Sequence, residues 1–218
     1  EVGKKVISTR RRVREFMTAV AGTVIHPVFG LPGGVSKGVS ADDLPKWKQL
    51  ADDVLDFAHF TLQVFNDIVL KNKAYVDLIT SDNYTHKTAY MGLVDENNKV
   101  NFYDGMIRVV DPKGTEFAKF KVQDYLHHMA ERVEPWSYVK FTYLKAKGWK
   151  GFVDGDDTSI YSVAPLARLN AADGMATPQA QKAYEDYVKI LGKPVHHTLA
   201  NHYARVVEMI YAAERIKE

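Results

Sequence analysis

The chain has 218 residues, 46% of them hydrophobic, a formal net charge of +2 and no cysteine. That length can bury a sizeable core, the absence of cysteine excludes a disulfide framework, and the small net charge selects no class of partner. No apolar run reaches the roughly 18 to 20 residues that a membrane-spanning helix needs.

Taken in chain order, residues Glu1 to Val20 read as a helix. Val2, Val6, Val13, Phe16, Met17 and Val20 form its apolar stripe, and Lys4, Lys5, Arg10, Arg11, Arg12 and Arg14 face away from it. Such a basic run fits phosphates, but no aromatic residue interleaves with it before Phe16, so a solvated or subunit-facing surface is the better reading and no nucleic-acid partner is expected. Ala21 to Ser40 holds five glycines and two prolines and reads as loop. Asp42, Asp43 and Pro45 open a second helix that runs to about Lys71, and a shorter one follows over Ala74–Ile79. A small antiparallel meander occupies about 88–120, with polar turns at Asp95–Asn98 and Asp111–Gly114. Helices are then expected over Val122–Val133, Trp136–Ala146, Pro178–Leu191 and His197–Glu218, with one more strand at Thr158–Val163. The fold class is mainly α, of the α+β kind, with the meander inserted in a single domain spanning 1–218.

Several residues invite a chemical reading. His26 heads the glycine loop, where a neutral imidazole can relay protons or hold a partner group; a loop histidine bonded to backbone is the plainer alternative. Gly30–Gly38 lacks the phosphate-loop spacing, because Lys37 is followed by Gly38. His127, His128, His196, His197 and His202 do not fall at zinc-ligand spacing, and there is no His-Glu-x-x-His. Arg168, Arg205 and Glu208 sit among apolar neighbours and so need partners. Arg205 and Glu208, three apart on a helix, are close enough to pair with each other. Trp136, Tyr138, Phe141, Tyr143 and Trp149 read as core packing.

Three stretches carry a family resemblance: His26-Pro27-Val28-Phe29-Gly30-Leu31-Pro32-Gly33-Gly34-Val35; Glu134 to Pro178, with Ala164-Pro165-Leu166-Ala167-Arg168-Leu169-Asn170 and Asp173-Gly174-Met175-Ala176-Thr177-Pro178; and His196-His197-Thr198-Leu199-Ala200-Asn201-His202-Tyr203-Ala204-Arg205. In order along the chain, they resemble the large subunit of nickel–iron hydrogenases, most of all the cytoplasmic type that passes electrons to soluble acceptors. The resemblance implies dihydrogen chemistry at a nickel–iron centre in the intact subunit, an iron–sulfur small subunit, with further electron-transfer subunits, as partners, and a cytoplasmic location. That family holds its metals with two Cys-x-x-Cys pairs, one near each end, and this chain has none. A soft metal centre needs thiolates, so no metal is expected on this chain and no catalytic residue is carried over. By the same resemblance His26, Pro27, Gly33 and Gly34 are expected at the partner interface, with Arg168, His202, Arg205 and Glu208 as supporting residues. The chain then reads as a central portion cut inside helices at both ends. Leu166, Val206, Val207, Ile210 and Tyr211 are expected to be left uncovered, and the isolated chain to self-associate. Two other readings are a metal-free relative in the NADH dehydrogenase family and a stand-alone binding or scaffold module.

Overall fold

The computed structural model describes residues 2–218. They form two compact units, one running up to Gln63 and including 212–218, the other spanning 64–211.

In the first unit, α1 (Val2–Ala21) has no fully buried residue. Its contacts come from single side chains. Phe16 meets Trp47 edge-on at 5.1 Å, the Lys5 ammonium lies 4.0 Å from the Phe60 ring, and Arg12 pairs with Asp53 at 2.5 Å. The Arg12 and Gln49 hydrogen bonds hold the Asp53 carboxyl below its usual range. After α1 come two short antiparallel strands, β1 (Gly30–Leu31) and β2 (Gly34–Val35). Pro32 and Gly33 form the turn between them, and Gly33 has φ +86°, which suits glycine alone. Ser40 then accepts a hydrogen bond from the Asp42 amide at 3.3 Å and starts a short turn into α2 (Leu44–Phe65). Trp47, Leu50, Ala51, Leu55, Phe57 and Ala58 line the buried face of α2 at helical spacing.

The second unit begins with a π-helical turn at Asn66–Leu70 and α3 (Lys73–Ile79), whose first turn is capped by Asn72. The expected meander is present as β3 (Ala89–Val94), β4 (Lys99–Val100), β5 (Met106–Val110) and β6 (Glu116–Lys121). Both expected turns hold by the same device. Asp95 Oδ1 accepts from the Asn97 and Lys99 amides, and Asp111 Oδ1 from those of Lys113 and Thr115.

Downstream the structure corrects the sequence reading. Val122–Val133 is not one helix: α4 covers only Tyr125–His128, and β7 (Met129–Val133) follows. Trp136–Ala146 is not a helix either; Lys140–Leu144 is β8, paired antiparallel with β7. Phe141 and Tyr143 are half-buried while Lys140 and Thr142 are exposed, the two-residue alternation of a strand. The aromatic group is only partly core, because Trp136 is 70% and Tyr138 96% exposed.

β9 (Tyr161–Ser162) runs beside β3, at the place expected for a late strand. α5 (Pro165–Ala171) and β10 (Gly174–Met175) were not expected. The main sheet reads β10-β4-β3-β5-β6 with β9 against β3. Ala89, Met91, Val109, Phe120 and Leu144 pack on one of its faces, and α5 covers β3. α6 (Pro178–Leu191) matches expectation, opened by proline and stopped at Gly192 with φ +80°. α7 (Asn201–Lys217) follows a short turn at Thr198–Ala200. Leu166, Val207, Ile210 and Tyr211 are buried and Val206 is half-buried, so the faces expected to lie open are covered within the chain itself.

Candidate functional site

The supporting residues expected from sequence gather, in part, where α5 crosses the sheet. Pro165 opens α5, and the Leu166 amide donates to Asn201 Oδ1 at 3.0 Å. α5 comes close to β3 because Gly92 has no side chain: a Cβ there would lie 3.0 Å from the Arg168 Cα. Arg168 then reaches Glu208 on α7, with Nε and Nη2 donating to the two carboxylate oxygens at 2.6 and 2.7 Å. The Glu208 side chain is 7% exposed. The guanidinium also sits 5.4 Å from the centre of the Phe102 ring.

This corrects the Arg205–Glu208 pairing that helix spacing allows. Arg205 points outward, and Glu208 takes a partner whose planar fork matches both carboxylate oxygens. Arg168 also lines a cleft of about 510 Å³, together with Met91, Gly92, Leu93, Asn101, Phe102, Ile107 and Val163. No nucleophile and base are paired in it.

His202 is separate. It is exposed and lines an apolar cleft of about 370 Å³ with Phe65, Ile68, Val69, Tyr75, Leu78, Ile79 and Leu199. His26, Pro27, Gly33 and Gly34 lie together on the loop of the first unit, all exposed. His26 holds φ 51°, uncommon for a residue with a side chain. The same loop exposes Ile25 and Val28, at 75% and 64%. Three other histidines are engaged structurally: His128 stacks on Phe120 at 3.9 Å, His196 Nδ1 lies 2.6 Å from the Tyr90 hydroxyl, and His197 Nδ1 lies 3.1 Å from Thr85. Burial, with Lys87 and His197 nearby, holds the His196 pKa below its usual value. Among the described residues no group of three or more His, Cys, Asp or Glu side chains could hold a metal ion.

Sequence reasoning missed a second polar centre. Arg108, on β5, is buried and bonds Glu116 at 2.7 Å, Asp173 at 2.9 Å and the Ala171 carbonyl at 2.9 Å. Asp173 also accepts from Asn98 Nδ2 at 3.1 Å. Burial raises the Asp173 carboxyl, but the Arg108 and Asn98 hydrogen bonds outweigh it and the net shift is downward. Lys193 donates to the Tyr184 hydroxyl at 2.7 Å and to the Ala172 carbonyl. Burial, reinforced by Arg108 and Lys99 against the pull of Asp173, brings its pKa down to about 8. Between that value and the ordinary lysine range the unfolded chain binds more protons than the folded one. Stability is therefore expected to rise as pH climbs from about 8 to 10.5. Lys193→Met should flatten that rise in melting curves taken across the window. The residues of this centre are far apart in sequence, and no local motif marks them.

No family profile matches the chain. It is 48% identical, over its full length, to an F420-non-reducing hydrogenase iron-sulfur subunit of Archaeoglobus profundus, of which it covers 45%. It is 32% identical, over 99% of its length, to the NAD-reducing hydrogenase HoxS subunit beta of Cupriavidus necator, of which it covers 43%. The fold is that of a hydrogenase subunit: a NAD+-reducing [NiFe]-hydrogenase in the H2-reduced state superposes with a TM-score of 0.85 and 27% identity, over 99% of this chain and 46% of that one. The chain thus spans about half the length of the curated relatives it matches.

These findings correct the subunit expected from the resemblance. The relative at 48% identity is named an iron-sulfur subunit, so the assignment to the nickel–iron large subunit falls. With it fall the catalytic-subunit reading, the nickel–iron centre attached to it and the casting of a separate iron–sulfur subunit in the partner's role. Iron–sulfur clusters are held by cysteine thiolates, and these 218 residues contain none. Any cluster of the whole protein would take its thiolates from outside them. Neither other reading, the NADH dehydrogenase relative or the stand-alone module, is favoured by the hydrogenase names.

Proposed function

We propose that this chain is part of a hydrogenase subunit. In this reading it builds the protein framework beside redox groups whose ligands lie elsewhere in the protein, and it joins other hydrogenase subunits in an assembly that couples dihydrogen to an electron acceptor. The observation that carries the reading is similarity from end to end at 48% identity to a hydrogenase iron-sulfur subunit. The Arg168–Glu208 pair fits a framework role, because it ties α5 to α7 without offering a reacting group. No helix among the described residues is long and apolar enough to cross a membrane, which fits the cytoplasmic location implied by the resemblance.

Within this proposal the loop from His26 to Val39 contacts another subunit. Its exposed Val28, Leu31, Val35 and Val39, with the neighbouring Ile25, support that role. Nothing lies within 4 Å of a Cβ built on Gly34. Gly34→Trp should therefore leave the melting temperature of the chain unchanged while weakening its association with the other subunits by about tenfold or more. Affinity-tagging the full protein in its native host tests the assembly: other hydrogenase subunits should co-purify with it. Its recovery without any redox subunit, wild type and variant alike, would contradict the reading.

A further inference from the structure

The helix α1 has two unlike sides. Phe16 meets Trp47, Arg12 pairs with Asp53 and Lys5 lies over Phe60. As these contacts step back along α1 they step forward along α2, so the two helices run antiparallel. Val6, Val13, Phe16 and Met17 are half-buried. Successive residues of a helix turn by about 100°, which sets Lys4, Ile7, Arg11, Arg14 and Thr18 on the other side, with Arg10 at its margin. All six are exposed, Ile7 by 71%.

That outer side is cationic, and the chain does not answer its charge. Between Val2 and Ala21 the cations are Lys4, Lys5, Arg10, Arg11, Arg12 and Arg14, and the one acid is Glu15. Arg12 is matched by Asp53, and Lys5 lies against the Phe60 ring. Among the described residues the ion pairs of α1 are Arg12–Asp53 and Arg11–Glu15, so Lys4, Arg10 and Arg14 have none. Arg11 meets Glu15 only through Nε at 3.6 Å, with both side chains mostly exposed, and such a pair holds its members weakly. Four cations thus stand against Glu15, and against two acids if Glu1 is counted.

The chain also builds a recess on this side. α1 ends at Gly22, whose φ is +79° and whose amide donates to the Thr18 carbonyl at 2.9 Å. Val24 then comes back beside the helix, and Arg11, Arg14, Glu15, Thr18 and Val24 line one cleft of about 460 Å³. Two arginines therefore border the same open space.

We propose that this side of α1 docks an acidic helix of a partner protein, with carboxylates over Arg11, Arg14 and Lys4 and an apolar side chain over Ile7. Charge complementarity carries the proposal, because each guanidinium fork can take both oxygens of a carboxylate in one plane. Arginine is also among the residues enriched where proteins meet. Ile7 in the middle of the cationic side calls for an apolar group opposite it, which a phosphate backbone does not supply, and this side has no aromatic residue on which bases could stack. A membrane surface would need a broad apolar face, whereas the apolar stripe of α1 is half-buried and its outer side offers Ile7 alone. The inference stands whether or not the partner is a hydrogenase subunit.

The test uses the full protein carrying these residues and a fluorescein-labelled, helix-forming peptide of about 18 residues, long enough to hold a helix, with glutamates and one leucine on one face. Fluorescence anisotropy should show saturable binding that weakens as salt is raised. The same peptide with glutamine for glutamate should bind about tenfold more weakly or worse. Arg11→Glu and Arg14→Glu should each cost about tenfold, and Arg14→Lys less, because an ammonium keeps the charge but not the fork. Glu15→Gln should tighten binding several-fold by removing the one acid from the face. Melting temperatures should stay at the wild-type value throughout, since every altered side chain is exposed. Equal binding of the two peptides, a loss in Arg14→Glu no larger than in Lys189→Glu on α6, or tighter binding of oligothymidylate or of phosphatidylserine-containing vesicles than of the glutamate peptide would each overturn the proposal.

Discussion

Replacing Arg168 with alanine should destabilise the chain by about 3–5 kcal/mol, the usual cost of removing one partner of a buried ion pair. The loss comes chiefly from what is left behind. Glu208 keeps a carboxylate that is 7% exposed and loses both of its hydrogen bonds to the guanidinium. Its neighbours on α7, Val207 and Ile210, are fully buried and offer no replacement donor. Arg168→Lys should recover only part of the loss, because an ammonium cannot serve both oxygens in one plane. The double variant Arg168→Met with Glu208→Leu should be more stable than Arg168→Ala alone, since removing both charges removes the orphan. Denaturant unfolding of the four proteins checks the series. A cost below about 1 kcal/mol for Arg168→Ala would mean the pair is solvated like a surface pair.

Asn170→Ala should cost a comparable amount, about 2–5 kcal/mol, from two buried backbone groups losing their partners at once. Asn170 Nδ2 donates to the Val195 carbonyl at 2.8 Å, and Asn170 Oδ1 accepts from the Val195 amide at 2.9 Å. The side chain thus stands in for a strand neighbour and fixes the segment that carries Lys193, His196 and His197. Both residues are almost inaccessible, so water cannot take over the bonds. Beyond lower stability, hydrogen exchange at the Val195 amide should rise towards that of the loops. Protection at Val195 equal to wild type would show that this pairing does not hold the segment.

Much of the architecture was legible because local chemistry and tertiary demand agree there. α6 begins at a proline, ends at a glycine and keeps one apolar stripe, and it appears where expected. The meander turns at Asp95 and Asp111 are set by aspartate side chains bonding their own backbone, a device visible in sequence. β7 and β8 were misread as helices because each has only five residues, too few to separate a period of two from one of 3.6 when aromatics dominate. α5 has seven residues and is buried on nearly all sides, so it has no amphipathic pattern to detect.

The site was legible only in kind. The apolar surroundings of Arg168 and Glu208 announce that each needs a partner, but helix spacing offers only the nearer candidate, Arg205, and not the one 40 residues away. Spacing on a single helix reports local neighbours; a pairing made by the crossing of two helices leaves no trace in it. The Arg108–Asp173 centre joins strands and loops far apart in the chain and was invisible for the same reason. The choice of subunit failed for a different reason: resemblance in these stretches points to hydrogenase subunits as relatives, while the cysteines that would tell one redox group from another do not occur in these 218 residues.

The most direct test of the hydrogenase reading is dihydrogen-dependent electron transfer by the full protein together with the subunits that co-purify with it. Under dihydrogen and without oxygen, the assembly should reduce a viologen dye, and under argon it should not. The rate should fall in parallel with the loss of partner subunits in Gly34→Trp. An assembly that retains the visible absorbance of its iron–sulfur clusters, yet reduces no dye under dihydrogen and exchanges no deuterium with water, would contradict the account.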